Sequence, residues 1–154
     1  MKLSNYVSLA EVTRSDTAKR RGIDNNPTPE HLENLKVICG EVFDKVREHF
    51  GVPIFISSGY RSAALNKAIG GSSTSDHNNG RALDLDQDGH GNGVTNADVF
   101  NFIKDNLEFD QLIWEFGSSQ NPDWVHVGYR KGANRKQILR AIKDGKTTKY
   151  VPWK

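Results

Sequence analysis

Two segments of the chain carry side chains that bind divalent metals. SDHNNGRALD, residues 75–84, contains His77 and Asp84, and DWVH, residues 123–126, ends at His126. Two imidazoles and one carboxylate can hold one Zn²⁺ and leave a fourth coordination position open for water, as catalytic zinc sites do and structural ones do not. These residues therefore predict a metal centre that can activate water.

Asp123 stands three residues before His126. Zinc can lower the pKa of water to about 7, and a nearby carboxylate can then accept its proton as the water attacks a carbonyl carbon. We therefore predict Asp123 as the general base of a hydrolytic reaction. Local preference alone would make Asp123 an ordinary turn residue, because it follows Asn121 and Pro122.

Helices that could hold these segments are predicted from caps and apolar spacing. Thr28 precedes a Pro-Glu pair, which together supply an N-cap, a first-turn proline and an acid that complements the helix dipole. The apolar residues that follow recur at helical spacing, so the helix should continue to about Phe50 with one buried face. Ser8 and Asp16 are predicted to cap short helical turns, and Thr95 to cap a helix over NADVFNFIKDNL.

Strands are predicted for VPIFISS (residues 52–58), RALDLD, LIWEF and WVHVGY, with a short helix over RSAALNKAIGG. In the last of these strands, alternation puts Trp124, His126 and Gly128 on one face. A DG pair at residues 144–145, between β-competent runs, indicates a C-terminal hairpin. The chain is therefore predicted to be an α+β domain with a small, mostly antiparallel sheet and flanking helices.

Length and composition fit one domain over residues 1–154, since the chain has 154 residues, is 36% hydrophobic and shows no repeat or linker. Basic residues outnumber acidic ones by only 21 to 19 and are scattered, so no nucleic-acid footprint is expected. Cys39 has no partner for an intramolecular disulfide and is predicted to be a small core residue. We expect a monomer.

The N-terminal segment MKLSNYVSLAEVTRSD lacks the continuous apolar run of a secretory signal. No stretch approaches the roughly 18 apolar residues of a membrane span. We therefore expect a cytoplasmic protein without stable membrane insertion. An extracytoplasmic target would require a separate release route.

These motifs resemble those of a known family, the zinc D-alanyl-D-alanine peptidases, which include carboxypeptidases, VanX-type dipeptidases and phage L-alanyl-D-glutamate endolysins. The family pattern Ser-x-His-x-x-Gly-x-Ala-x-Asp is met in full by SDHNNGRALD, and its acidic residue three positions before a histidine is met by DWVH. SGYRS, residues 58–62, is similar to the family segment whose arginine reaches the active site. The resemblance extends from SLAEVTRSDTAKRRGIDNNP through HVGYR and is weaker over the C-terminal hairpin.

The resemblance implies a fold like the D-Ala-D-Ala peptidases and hedgehog domains, and peptidoglycan stem peptides as substrate. It implies three zinc ligands, His77, Asp84 and His126. Asp123 would be the general base and later the proton donor, Arg61 would counter the charge on the carbonyl oxygen, and Ser75 would contact the substrate. A solvated arginine at position 61 and a plain turn serine at position 75 are the alternatives.

Two further acids bear on the predicted site. Asp76 stands where relatives often carry a neutral polar residue, so its charge affects the expected substrate preference. Glu115, in LIWEF, is a weaker candidate for contact with the substrate or the metal ligands, and a charge at a strand edge is the alternative.

A second metal feature is DQDGHGNG, residues 86–93, where acidic and polar side chains alternate as in some Ca²⁺ loops. His90 replaces the usual oxygen ligand, and Ala97 stands where an EF-hand has its bidentate glutamate. A flexible acidic loop is therefore favoured over calcium binding.

Three functions from different classes fit the residues. The leading prediction is a zinc peptidase that cuts stem peptides, either internally as an endolysin does or at a terminal D-alanine, after release from the cytoplasm. A non-haem iron oxygenase would use two histidines and one carboxylate, but its ligands usually lie closer in sequence than His77 and Asp84. A non-catalytic wall-binding module could retain zinc for folding alone.

Overall fold

The computed structural model describes the chain from Met1 to Lys154. The helices are α1 (Leu9–Thr13), α2 (Asp16–Arg21), α3 (Pro29–Ile38), α4 (Asp44–Phe50), α5 (Ala63–Ala68) and α6 (Asn96–Asn106). The strands are β1 (Ile56–Ser58), β2 (Ala82–Leu85), β3 (Gln111–Glu115), β4 (Trp124–Gly128), β5 (Gln137–Asp144) and β6 (Thr147–Pro152). None of the helices combines the length and the apolar character that a membrane span requires.

The long predicted helix is confirmed and contains one irregular turn. Thr28 caps α3, and its hydroxyl oxygen accepts a hydrogen bond from the His31 amide at 3.2 Å. A π-helical turn, Cys39–Phe43, then joins α3 to α4, so the helical backbone continues to Phe50. The thiol of Cys39 is fully buried in this turn, as expected of a core cysteine.

Of the other three predicted caps, two are confirmed. Ser8 and Thr95 cap α1 and α6 in reciprocal capping boxes. At α2, however, the cap is Ser15, whose hydroxyl oxygen accepts from the Ala18 amide at 3.1 Å, and the prediction of Asp16 is wrong. Asp16 lies in the first turn of α2, where a carboxylate is favourable because it faces the positive end of the helix dipole.

The sheet has the strand order β1-β2-β4-β3-β5-β6 and is antiparallel except for the β3–β5 pair. This confirms the α+β class with a mostly antiparallel sheet. The first predicted strand, residues 52–58, is shorter than expected, because only Ile56–Ser58 pairs with β2. The C-terminal hairpin forms around the predicted DG pair, with Asp144 opposite Thr147.

The two faces of the sheet have different surroundings. Leu83, Val125 and Leu112 are fully buried and join one hydrophobic core with residues of α3, α4 and α6. Because side chains alternate along a strand, the intervening residues Asp84 and His126 emerge on the other face. The helices therefore support the sheet from behind and leave that face open for a site.

Candidate metal centre and its cavity

The three predicted metal ligands converge on the open face of the sheet. Asp84 and His126 are directly paired across β2 and β4, and His77 lies in a short 3-10 turn before β2. Asp84 Oδ1 lies 3.3 Å from His77 Nε2 and 3.0 Å from His126 Nδ1. The ligand atoms of all three residues lie within 4.8 Å of one another. The structure thus brings together residues up to 49 positions apart in sequence, the separation of His77 from His126 (126 − 77).

The protonation of His77 fits a metal ligand. Its Nδ1 lies 2.7 Å from the carbonyl oxygen of Gly59, which can only accept, so Nδ1 carries the proton. Nε2, the other ring nitrogen, is buried without a hydrogen-bond partner, lies 3.3 Å from Asp84 Oδ1, and can give its lone pair to a metal when it carries no proton. A backbone carbonyl that fixes the tautomer of a histidine ligand is a common support in zinc sites. The donor set accordingly fits Zn²⁺.

Two glycines of the sequence motifs are required by close backbone packing. A Cβ atom on Gly59 would lie 2.6 Å from the carbonyl oxygen of Val12, so a larger residue would displace the carbonyl that orients His77. Gly80 has a φ of 72°, and a Cβ there would lie 2.5 Å from the carbonyl oxygen of His31. Both glycines therefore hold His77 and its support against neighbouring segments.

Arg61 reaches the same cavity. Its Nη2 lies 4.0 Å from Asp84 Oδ2, and its Nε is buried without a hydrogen-bond partner. The segment around Arg61 is held by Asn25, whose Nδ2 donates to the Tyr60 carbonyl at 3.0 Å and whose Oδ1 accepts from the Ser62 amide at 2.7 Å. Asn25 was not singled out in the sequence, because an asparagine beside two prolines has the composition of an ordinary loop.

Ser75 and Asp76 support the turn that carries His77 and also line the cavity. The Ser75 hydroxyl oxygen accepts from the His77 amide at 3.3 Å, which is the turn role considered for it. Asp76 Oδ1 accepts from Arg130 Nη2 at 2.8 Å, so its charge is compensated by an arginine. Asp76 therefore adds less free negative charge to the cavity than the sequence suggested.

Asp123 lies outside the cavity. It is exposed, it is absent from the residues that line the cavity, and its charge helps to raise the pKa of Asp88 after the effects of burial and Asp86. Asp123 precedes Trp124, the first residue of β4, so the alternation of that strand does not place it on the face of His126. The role of Asp123 as general base stays a prediction, and in this structure its side chain is not among those that line the cavity.

Glu115, the weaker candidate, lines the cavity, whereas Asp123 does not. It ends β3, is 6% exposed, and lies on the same face as Ile113, which is paired with His126. Burial raises the pKa of Glu115 to about 7; the charge of His126 lowers it and that of Asp84 raises it. A buried carboxyl with a pKa near neutrality suits proton transfer at physiological pH.

Asp84 and His126 form a strongly coupled pair. Burial by itself would raise the pKa of Asp84, but the charge of His77 and the hydrogen bond with His126 outweigh it and hold this pKa well below its ordinary value. Burial would likewise lower the pKa of His126, but the hydrogen bond and charge of Asp84 raise it above its ordinary value. In the metal-free protein the proton on His126 therefore supplies the positive charge beside Asp84 that a bound metal ion would otherwise supply.

Zn²⁺ affinity should consequently fall as the pH is lowered, beginning above pH 6.5, the ordinary value for histidine. The raised pKa means that His126 is protonated at a higher pH than a free imidazole, and the proton competes with the metal. Chelator competition between about pH 5 and pH 8 measures this. His49→Gln, which removes a histidine stacked on Phe102, should keep the same profile. An affinity independent of pH would contradict the ligand assignment of His126.

The cavity has a volume of about 610 Å³ and three walls. The metal-binding residues and Arg61 form one side, and β3 with Phe116 and Trp124 forms the floor. The third wall comes from the C-terminal hairpin, which contributes Lys143 and Tyr150. This hairpin contribution was not predicted from the sequence.

The acidic loop over residues 86–93 gives the calcium hypothesis no support. Asp86 Oδ1 accepts from the Asp88 amide at 3.0 Å and from Asn96 Nδ2 at 3.0 Å. Asn92 Oδ1 accepts from the Val94 amide at 3.2 Å. These oxygens are engaged in shaping the loop, so it behaves as a set of turns rather than a ready cation site.

Comparison with known proteins identifies the family. A search among curated proteins found no match to the chain. The family model described as Peptidase M15 matches residues 5–128, which include all three metal-binding residues and Glu115. Peptidases of this family are zinc-dependent, in agreement with the donor set on the sheet. The chain therefore belongs to the peptidase M15 family.

Proposed function

We propose that this protein is a zinc-dependent hydrolase of peptide bonds in peptidoglycan stem peptides. The observation that carries the proposal is the convergence of a His-Asp-His metal site and a buried, high-pKa carboxyl in one cavity. The family match supports a peptidase, and the resemblance of the motifs to wall-cutting enzymes supports the substrate class.

His77, Asp84 and His126 would hold the metal through Nε2, Oδ1 and Nδ1. Bound Zn²⁺ supplies acidity to an attacking water and positive charge for the carbonyl oxygen of the substrate. We propose Glu115, in place of Asp123, as the group that accepts the water proton and later delivers it to the leaving amine. Burial raises the pKa of Glu115 in the metal-free protein, which favours a carboxyl that can both accept and return a proton.

Arg61 and Ser75 complete the proposed site. The guanidinium of Arg61 lies beside Asp84 and can donate hydrogen bonds to a carbonyl oxygen as negative charge develops there. Ser75 lines the cavity and, besides shaping the turn of His77, is placed to contact the peptide.

The cavity volume of about 610 Å³ falls in the usual range for small-ligand sites. It suits a few residues of an extended peptide better than a folded protein. Both an endolysin-type cut and removal of a terminal D-alanine remain compatible with it, and either would take place on the cell wall after the protein leaves the cytoplasm.

Mass spectrometry of purified peptidoglycan fragments tests the proposal. We expect the zinc-loaded protein to release cut stem peptides or free D-alanine, and the masses identify the bond. A sample with chelator should release neither product, because without Zn²⁺ the site has no metal to make the attacking water acidic. Intact fragments in the zinc-loaded sample would contradict the hydrolase and favour a wall-binding module that retains zinc for folding.

A further inference from the structure

The C-terminal hairpin lies beyond residues 5–128, the part of the chain matched by the family model, yet it forms a wall of the cavity. The pairing of β3, β5 and β6 explains how the hairpin reaches the cavity. Glu115 is paired with Ala141 of β5, and Ala141 is paired with Tyr150 of β6. Directly paired residues point to the same face, so Tyr150 rises on the face that carries Glu115. Ala141, the residue paired with both, is fully buried.

Tyr150 lines the same cavity as Glu115 and Asp84. The residue is 53% exposed. Burial and then the charges of Glu115 and Asp84 raise the pKa of the Tyr150 hydroxyl. The hydroxyl therefore stays protonated at neutral pH and can donate a hydrogen bond into the cavity.

Lys143 lies on the same face, two residues along β5 from Ala141, and is paired with Thr148. Its Nζ stands 4.8 Å from the ring centroid of Phe116, and no carboxylate lies within the 4.0 Å limit of an ion pair. Phe116 has a φ of 56°, a left-handed conformation that is costly for a non-glycine residue. This turn lets Phe116, which follows Glu115 directly, line the same cavity.

Lys143 forms no ion pair with any acid of the cavity. Two of these acids already have cationic partners, since Asp76 accepts from Arg130 and Asp84 lies against two histidines and Arg61. Lys143 and Tyr150 are diagonal neighbours across the hairpin, about 7–8 Å apart at the backbone, which long side chains can bridge. One ammonium and one hydroxyl donor at this spacing fit a carboxylate.

We propose that Lys143 and Tyr150 form a subsite for a free carboxylate of the substrate, on the side of the cavity next to Glu115. The proposal rests on the hydrolase function proposed above and adds the chemical class of a recognised substrate group. In a stem peptide that carboxylate is either the α-carboxylate of a γ-linked glutamate or the C-terminal carboxylate. The hairpin thereby selects which peptide enters, while the matched part of the chain cuts it.

Calorimetric binding to the zinc-loaded Glu115→Gln protein tests this without requiring turnover. The probes are L-alanyl-γ-D-glutamyl-L-lysyl-D-alanine, its isoglutamine form and its C-terminal amide. We expect Lys143→Gln to weaken binding of the unmodified peptide by about tenfold or more, as for a lost hydrogen bond to a charged group. Tyr150→Phe should weaken it in the same pattern. One of the two amidated peptides should be insensitive to both changes, and it identifies the carboxylate.

Lys149→Gln is the matched control, because Lys149 is paired with Ile142 and points to the other face of the hairpin. It removes the same charge and should leave binding of all three peptides unchanged. Equal losses on all three peptides in Lys143→Gln, or equal losses in both lysine variants, would overturn the subsite. If the wild-type protein cuts no peptide while Lys143→Gln still shows the selective loss, the hydrolase fails and the carboxylate subsite stands.

Discussion

Glu115→Gln should slow peptide hydrolysis by about 10²-fold or more, the usual contribution of a general base. Glutamine keeps the size of the side chain at the end of β3 but cannot accept the proton of the attacking water. Zinc content should stay at the wild-type level, because Glu115 is outside the three-residue ligand set. Turnover of a defined stem peptide, with metal analysis of the same sample, measures both quantities.

Asp123→Asn is the control for this result. Its carboxylate is exposed and lies outside the cavity, so the variant should retain nearly wild-type turnover. The substitution leaves the Asp123 backbone free to keep its hydrogen bonds with Glu115 and Asn96. A loss of about 10²-fold in Asp123→Asn with normal activity in Glu115→Gln would return the role of base to Asp123.

The pH dependence of the hydrolysis rate should likewise reflect the ionisation of Glu115. The pKa of Glu115 is raised to about 7 in the metal-free protein, and a nearby cation lowers the pKa of a carboxyl. Because the base must be ionised, activity of the zinc protein should fall on the acid side, with a midpoint below pH 7. The zinc ligands also gain protons at low pH, so metal content must be checked at each point.

His126→Ala should abolish stable zinc binding, lowering the affinity by more than about 100-fold, since even loss of a residue that only orients a ligand costs about 10- to 100-fold. His126 supplies one of three converging donor atoms, and alanine leaves an incomplete site. Metal content after dialysis is the direct measurement. Added zinc should also raise the melting temperature of the wild-type protein but not that of the variant.

Folding of the variant can be checked separately. Val125 and Val127, the neighbours of His126, face the hydrophobic core and are unchanged, so the metal-free variant should keep the far-UV spectrum of the metal-free wild type. Replacing His49, a histidine stacked on Phe102, by alanine should not alter zinc content. Zinc retained by His126→Ala at the wild-type level would refute its assignment as a ligand.

Local patterns were sufficient for much of the fold. Thr28 and Thr95 start helices because their hydroxyl oxygens satisfy amides of the first turn, an interaction that needs only neighbouring residues. The DG pair sets the C-terminal hairpin for the same local reason. Asp16 failed as a cap because Ser15, one residue earlier, competes for the same amides.

The sequence by itself determined the chemistry of the metal site, because the types and motif positions of His77, Asp84 and His126 already define a zinc donor set. It did not show which acids lie beside that site. Proximity along the chain favoured Asp123, which precedes β4 and does not line the cavity, whereas strand pairing brings Glu115 into the cavity from β3. The hairpin wall with Lys143 and Tyr150 likewise depends on the parallel register of β5 against β3. Pairing between strands distant in sequence is a tertiary property, and only the folded sheet decides which side chains share a face.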